Sequence, residues 1–480
     1  MELRISDCGL EAKNIRTTES RKQKKQKPDG SSNRAVEDPR LCVTRSERSR
    51  EVRRLRRTDD QRFLTVNCQL VFLWTLNAGL WTVFPLSPLL LLIVLWVPMR
   101  GLYIHIPFCI KKCSYCDFYS VPYTRRLAEK YVHHLRGEIE LFCRHAEPGT
   151  FERFDTLYIG GGTPSCLEPI DFRSIIRSLN GCFDTSGIGE FTIEVNPGTL
   201  STDKLAAYKD AGVNRISIGA QTFNDRHLKK LGRMHNKKDI YDGLEMIHNM
   251  GFTNVNIDLI FGIPFQSDRD VIEDVAAALG LSPTHISAYA LSVEEGTPLF
   301  EELKGGLQIP SDDEYAACYR NLEDLLQKEG FHHYEISNFA LHDFECAHNI
   351  GYWTGGEYLA FGAGASGYRK GERWPGGFRY RNHANLGKYI RTIARGQLPR
   401  AETLETDVPT AWKERLIMGL RLTDGISLSR VRDELGNPPR SMQRSIDNLL
   451  DANLLQKEGD MLKIPRDFLF TSNEILARLV

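Results

Sequence analysis

The chain has 480 residues, room for roughly three domains of ordinary size, and its 41% apolar content is enough to bury a real core. Eleven cysteines, an odd number spread over a long chain, exclude the dense disulfide framework of a small secreted domain and point to a reducing compartment. The formal net charge of zero hides an asymmetry, because residues 1–62 carry 18 Lys/Arg against 11 Asp/Glu and leave the remainder acidic.

Residues 1–62 are polar and basic, with Arg21-Lys22-Gln23-Lys24-Lys25 and Arg53-Arg54-Leu55-Arg56-Arg57, and read as disordered. The stretch 63–99 carries no charge and contains a run, 89–97, as apolar as a membrane span. Pro85, Pro88 and Pro98 interrupt it, and the first strand follows with almost no linker. Two readings stay open for residues 1–98: an anchor or targeting extension with its basic flank on the cytoplasmic side, and an upstream read-through with Met99 as the natural start. The expected location is the cytoplasm, with membrane association through residues 63–98 under the first reading.

From residue 102 to residue 289 short apolar runs alternate with amphipathic stretches, the pattern of strand–helix units around a parallel sheet. Strands are predicted at 102–106, 156–159, 190–195, 215–219, 254–259 and 285–289, and helices at 126–145, 168–180, 201–211, 237–249 and 268–279. Ser201 and Asp268 are good caps, and Gly212 and Gly251 follow helix ends. Six strands make an α/β fold with an incomplete (β/α)6 barrel, whose active site is built from loops after the strands. The segment 301–400 reads as a linking segment with a long helix at 312–329 and a Gly/aromatic-rich stretch at 351–378. Residues 401–480 read as a winged-helix-like domain, with helices at 410–422, 427–435 and 441–452 and a hairpin at Glu458-Gly459-Asp460. The candidate recognition helix is close to neutral, so a packing domain is preferred and no nucleic-acid partner is expected.

Directly after the first strand, Cys109, Cys113 and Cys116 stand in the spacing C-x3-C-x2-C. Three thiolates can hold three corners of a four-iron four-sulfur cubane and leave the fourth iron open. Structural zinc takes four protein ligands, and no fourth Cys or His stands at fitting spacing nearby. With Tyr115 as the aromatic before the last cysteine, the motif resembles that of the radical S-adenosylmethionine (SAM) superfamily. The resemblance implies a [4Fe-4S] cluster on Cys109, Cys113 and Cys116, a SAM molecule whose amino and carboxylate groups meet the open iron, and a partial (β/α)6 radical SAM barrel over residues 99–300. It also makes Gly161, Gly162 and Thr163, after the second strand, the cradle for the amino-acid end of SAM. Tyr103, Tyr115, Glu194, Gln221, Arg233 and Asp258 match further SAM contacts in the subfamily of coproporphyrinogen dehydrogenase.

Two related families compete across residues 99–480. The dehydrogenase family, HemN, carries a further Cys two positions after the triplet, where this chain has Phe118, as the haem chaperone family HemW does. His348-Asn349-Ile350-Gly351-Tyr352-Trp353 fits the chaperone motif H-N-x-x-Y-W. The resemblance therefore implies haem as a bound group, His348 as a candidate axial ligand, and delivery to acceptor haemoproteins such as respiratory enzymes. A buried His with a satisfied ring is the other reading of His348. Oxygen-independent decarboxylation of coproporphyrinogen III is the alternative function, and a winged-helix redox regulator is a third, disfavoured by its neutral helix.

Overall fold

The computed structural model describes residues 99–146, 153–371 and 374–479. The 63–98 segment lies outside these, and among the described residues no helix is long and apolar enough to cross a membrane.

Six parallel strands form the heart of the molecule: β1 (Arg100–Ile106), β2 (Thr156–Gly161), β3 (Glu190–Val195), β4 (Arg215–Gln221), β5 (Asn254–Phe261) and β6 (His285–Ala290). All six stand where the apolar runs predict them, longer by one or two residues at some ends. Their near-continuous burial, complete at Leu102, Ile104, Ile193, Ile216, Ile218, Val255, Ile257 and Ile286, is what a parallel sheet covered on both faces requires.

Helices α1 (Arg125–His145), α2 (Pro169–Cys182) and α3 (Thr202–Asp210) connect the first four strands. Between β4 and β5 the chain forms two helices, α4 (Asp225–Lys230) and α5 (Lys237–Asn249), of which the pattern predicts only the second; α6 (Asp268–Leu279) follows β5. Reciprocal capping boxes start α5, through Asn236 and Asp239, and α6, through Ser267 and Asp270, so two otherwise orphaned backbone donors are satisfied at each entry.

The sheet does not end with the sixth strand. After α7 (Pro298–Lys304) and α8 (Asp312–Lys328), strands β7 (His332–Glu335) and β8 (Asn338–Ala340) extend it antiparallel beyond β6. Helix α9 (Ala347–Trp353) then leads to β9 (Glu357–Phe361), which pairs parallel with β1. Strands β10 (Ser366–Gly371), β11 (Trp374–Asn382) and, after α10 (Leu386–Ala394), β12 (Arg400–Glu405) continue antiparallel from there. The order across the twelve strands is β12-β11-β10-β9-β1-β2-β3-β4-β5-β6-β8-β7.

At the C-terminus α11 (Val408–Gly419), α12 (Leu428–Leu435) and α13 (Arg440–Asp451) precede a hairpin of Gln456–Glu458 with Met461–Lys463, joined by Ile426–Ser427 into a three-stranded sheet. This is the winged-helix-like arrangement expected. Trp412, Leu416, Ile446 and Leu462 are buried in its core.

Candidate functional site

The loops after β1, β2, β4 and β6 surround a cavity of about 320 Å³. It is lined by Cys109, Cys113, Tyr115, Cys116, Gly161, Gly162, Thr163, Glu194, Gln221, Arg233 and Asp258. All three cysteines and eight of the nine predicted SAM contacts thus converge on one space, although up to 149 positions separate them in the chain.

The cysteine loop is pinned from both sides. Phe108–Cys109 pairs with Val121–Pro122, and Tyr123 N donates to Cys109 O at 2.9 Å. On the far side Ser114 N donates to Leu231 O at 3.0 Å, and Ser114 Oγ donates to Lys230 O at 3.0 Å. Thr163 Oγ1 approaches Cys109 Sγ at 3.7 Å, and Arg233 Nη1 approaches Cys113 Sγ at 3.5 Å. Both are donors aimed at sulfur, which favours its anionic form. Burial pushes the Cys109 thiol up and the Cys116 thiol up to about 11, so these groups ionise readily only with a cationic centre beside them.

The residues fit the implied cluster and SAM in a second respect, at the glycine loop. A Cβ on Gly162 would stand 2.7 Å from Phe108 O and 3.0 Å from Cys109 Sγ, and one on Gly161, at φ +121°, would stand 2.6 Å from His105 Cε1. Only glycine leaves backbone groups open here beside the cysteine loop. Among the described residues no three Cys, His, Asp or Glu side chains are grouped as ligands of a single metal ion.

The polar lining comes from alternate strand positions. Tyr158 OH donates to Glu194 Oε1 at 2.8 Å, and Gly161 N donates to Glu194 Oε2 at 3.0 Å. Asn196 donates through Nδ2 to Thr163 Oγ1 at 2.9 Å and accepts from Arg233 Nη2 at 2.7 Å. Asp258 accepts from Asn256 Nδ2 at 2.8 Å and from Ser217 Oγ at 3.2 Å; burial pushes its carboxyl up, and Glu194 adds to the shift. Tyr103 is the exception among the predicted contacts. Its hydroxyl meets His105 Nδ1 at 3.0 Å and its ring stacks on Tyr158 at 6.2 Å, one layer behind the cavity wall.

Sequence reasoning passes over Tyr158, Asn196, Arg215, Ser217, Asn256, Ser287 and Tyr289, all of which line the cavity. Their signal is the spacing of two. Residues 215, 217, 219 and 221 of β4 all line the cavity, as successive inward positions of one strand must.

His348 stands elsewhere. It lies on α9, against the first residues of β2 and β3, at the end of the barrel opposite the cysteine loop. The ring is buried, with Nδ1 at 2.7 Å from Thr156 Oγ1 and Nε2 at 2.8 Å from Tyr352 OH. It stacks on Tyr158 with centroids 5.1 Å apart, while His348 N and Ala347 N donate to Glu190 at 3.0 and 2.8 Å. Burial pushes its pKa down to about 3, so it is a neutral imidazole with both nitrogens engaged. The axial-ligand expectation therefore finds no open nitrogen at His348, and the satisfied buried histidine is the reading that fits. Asn349, its neighbour, reaches the cavity lining.

Comparison with known proteins matches residues 103–278 to the radical SAM superfamily and residues 407–467 to the HemN C-terminal domain. The chain is 36% identical over 359 residues to the heme chaperone HemW of Bacillus subtilis, covering 74% of this chain and 90% of that protein. It is 37% identical over 333 residues to the heme chaperone HemW of Lactococcus lactis, covering 69% of this chain and 84% of that one. The solved structure of coproporphyrinogen III oxidase (HemN) from Escherichia coli shares the fold, with a TM-score of 0.67 at 21% identity over 81% of this chain and 92% of that one. By its sequence relatives and its fold, the chain belongs to the heme chaperone HemW family of radical SAM proteins.

Proposed function

We propose that this protein holds a [4Fe-4S] cluster on Cys109, Cys113 and Cys116 with SAM beside it, binds haem, and delivers haem to acceptor haemoproteins such as respiratory enzymes. The observation that carries the cluster and SAM assignment is the convergence of the three thiols and the Gly161-Gly162-Thr163 loop on one cavity. The haem assignment rests on the family and on Phe118, which lines that cavity at the position where the resemblance gives the dehydrogenase its extra Cys.

When bound, the cluster and SAM supply one-electron cleavage of a carbon–sulfur bond. The chain's own residues bind and orient. Arg233, already a donor to Cys113 Sγ and Gly219 O, presents a guanidinium suited to the SAM carboxylate. Glu194 and Asp258 offer carboxylate oxygens to its ammonium and ribose hydroxyls. Asn196 couples the two sides, since it bonds both Thr163 and Arg233, and so acts as a positioning residue. The cavity is in the size class of a small-ligand site. His348 serves the floor of the barrel rather than the iron.

The test is anaerobic reconstitution with iron and sulfide, followed by haem titration and transfer to an apo-cytochrome. The proposal expects a four-iron chromophore, saturable haem binding, and haem appearing in the acceptor. Absence of haem binding by the reconstituted protein would remove the chaperone assignment.

A further inference from the structure

Two buried guanidinium groups line the cavity, and they differ in what they touch. Arg233, at the cysteine end, donates to Asn196 Oδ1 at 2.7 Å and Gly219 O at 2.8 Å and approaches Cys113 Sγ at 3.5 Å. Arg215 is the first inward residue of β4, 2% exposed. It stands four residues before Gly219 on the strand, about 13 Å deeper in the barrel at the usual rise per residue. Among the described residues Arg215 makes no hydrogen bond and no ion pair, and its Nε is buried without a partner. The groups whose charge acts on it, Glu190, Tyr158, Tyr334 and Cys346, are committed elsewhere. Glu190 accepts from Cys346 Sγ, Ala347 N and His348 N at 3.5, 2.8 and 3.0 Å. Tyr158 OH donates to Glu194 at 2.8 Å, and Tyr334 OH accepts from Cys346 N at 3.2 Å. Beside Arg215 in the register of β3, Thr192 Oγ1 is also buried without a partner. A buried charge in a folded protein is normally paired, and a guanidinium carries several donors to satisfy. The side from which a partner can reach Arg215 is the cavity.

We propose that the floor of the barrel is a carboxylate site, in which Arg215 holds the carboxylate of an organic acid deeper in the cavity than the cysteine loop. The inference goes beyond the cluster and SAM assignment and does not depend on it. The class of ligand follows from the surroundings. The other Lys and Arg of the lining, Lys111, Lys112 and Arg233, belong to the cysteine end, so Arg215 alone supplies positive charge at the floor. Asp258 lies within reach of that charge, and Glu194 lines the same cavity, so a doubly charged anion such as phosphate meets repulsion there. A singly charged, planar carboxylate matches the guanidinium fork with two parallel bonds. A free organic acid and a haem propionate both present this group, and the test separates the two.

The test uses the full chain, metal-free and without SAM, and follows the NMR line width of propionate labelled at its carboxyl carbon. In the wild type the resonance should broaden saturably, and inorganic phosphate at the same concentration should leave it unchanged. Arg215→Gln, which removes the charge, should bind propionate at least about ten-fold more weakly; Arg215→Lys, which keeps the charge but not the fork, should fall between. Because the guanidinium has no protein partner to lose, ligand-free Arg215→Gln should unfold at a urea concentration no lower than the wild type. Displacement of propionate by haem, but not by haem dimethyl ester, assigns the carboxylate to haem; propionate retained in the presence of haem assigns it to a free acid. Absence of saturable broadening in the wild type, equal affinity in wild type and Arg215→Gln, or displacement by phosphate would each overturn the site. A markedly lower unfolding midpoint for Arg215→Gln would also overturn it, since Arg215 would then serve the fold. With neither cluster nor SAM in the sample, a failure of cluster assembly or SAM binding removes the assignment above and leaves this result standing.

Discussion

Replacing His348 by Ala removes a ring that is hydrogen-bonded at both nitrogens and packed so closely that a Cβ on Gly101 would stand 3.0 Å from its Cε1. Thr156 Oγ1 and Tyr352 OH lose their partners at 2.7 and 2.8 Å, and a buried hydroxyl left unsatisfied costs about 1–3 kcal/mol. The space vacated between Tyr158 and Tyr352 adds a cavity term of the kind seen when buried rings are truncated. Because one hydroxyl can find water, the total is about 3–5 kcal/mol rather than the full sum. Urea unfolding of the metal-free protein, followed by near-ultraviolet dichroism and extrapolated linearly, measures it. His348→Gln keeps one donor and one acceptor and should recover part of the loss. A His348→Ala protein of wild-type stability that has nonetheless lost haem would refute the reasoning, since that is the behaviour of an open axial ligand.

The same residue sets a pH dependence. Folding holds its pKa at about 3 against about 6.5 for a free imidazole, so below pH 6.5 the unfolded chain takes up the proton first. Wild-type stability relative to His348→Ala should therefore fall by about 1.4 kcal/mol per pH unit as pH drops from about 6 toward 4, and parallel profiles would contradict this. Gly162→Ala should disturb the cysteine loop by about 1–3 kcal/mol of overpacking, visible as poor cluster reconstitution with the C-terminal domain intact. Cys109→Ser, Cys113→Ser and Cys116→Ser should each abolish the air-sensitive chromophore, whereas Cys143→Ser and Cys182→Ser, on α1 and α2, should keep it. Asn196→Ala should weaken SAM binding about ten-fold by freeing Thr163 and Arg233, while Asn196→Asp, which accepts but does not donate, should retain Arg233 and lose Thr163.

The barrel is legible in the sequence because each of β1 to β6 is an apolar run between turn residues and, α2 excepted, the intervening long helices start at a capping side chain. The extension of the sheet through β7 to β12 is not. Strand β10 reads Ser-Gly-Tyr-Arg-Lys-Gly, with little apolar alternation, and its place is set by pairing with β11 rather than by local preference. In the cavity, Cys109, Cys113 and Cys116 are legible from spacing, and Asn196 and Ser217 could be read from the period of two. The surroundings of His348 divide the same way. Tyr352 is four residues on, the spacing that brings side chains together on a helix, but Thr156 lies 192 positions away, and only the fold brings it to the ring. A motif match names the histidine without showing whether its nitrogens are open.

The central claim is that this chain handles haem without transforming its precursor. One experiment addresses it most directly: the reconstituted protein, with SAM and a low-potential reductant under anaerobic conditions, is given haem with an apo-cytochrome in one vessel and coproporphyrinogen III in another. The account predicts haem transfer to the cytochrome and unchanged coproporphyrinogen. Conversion of coproporphyrinogen to protoporphyrinogen, with no haem reaching the cytochrome, would contradict it.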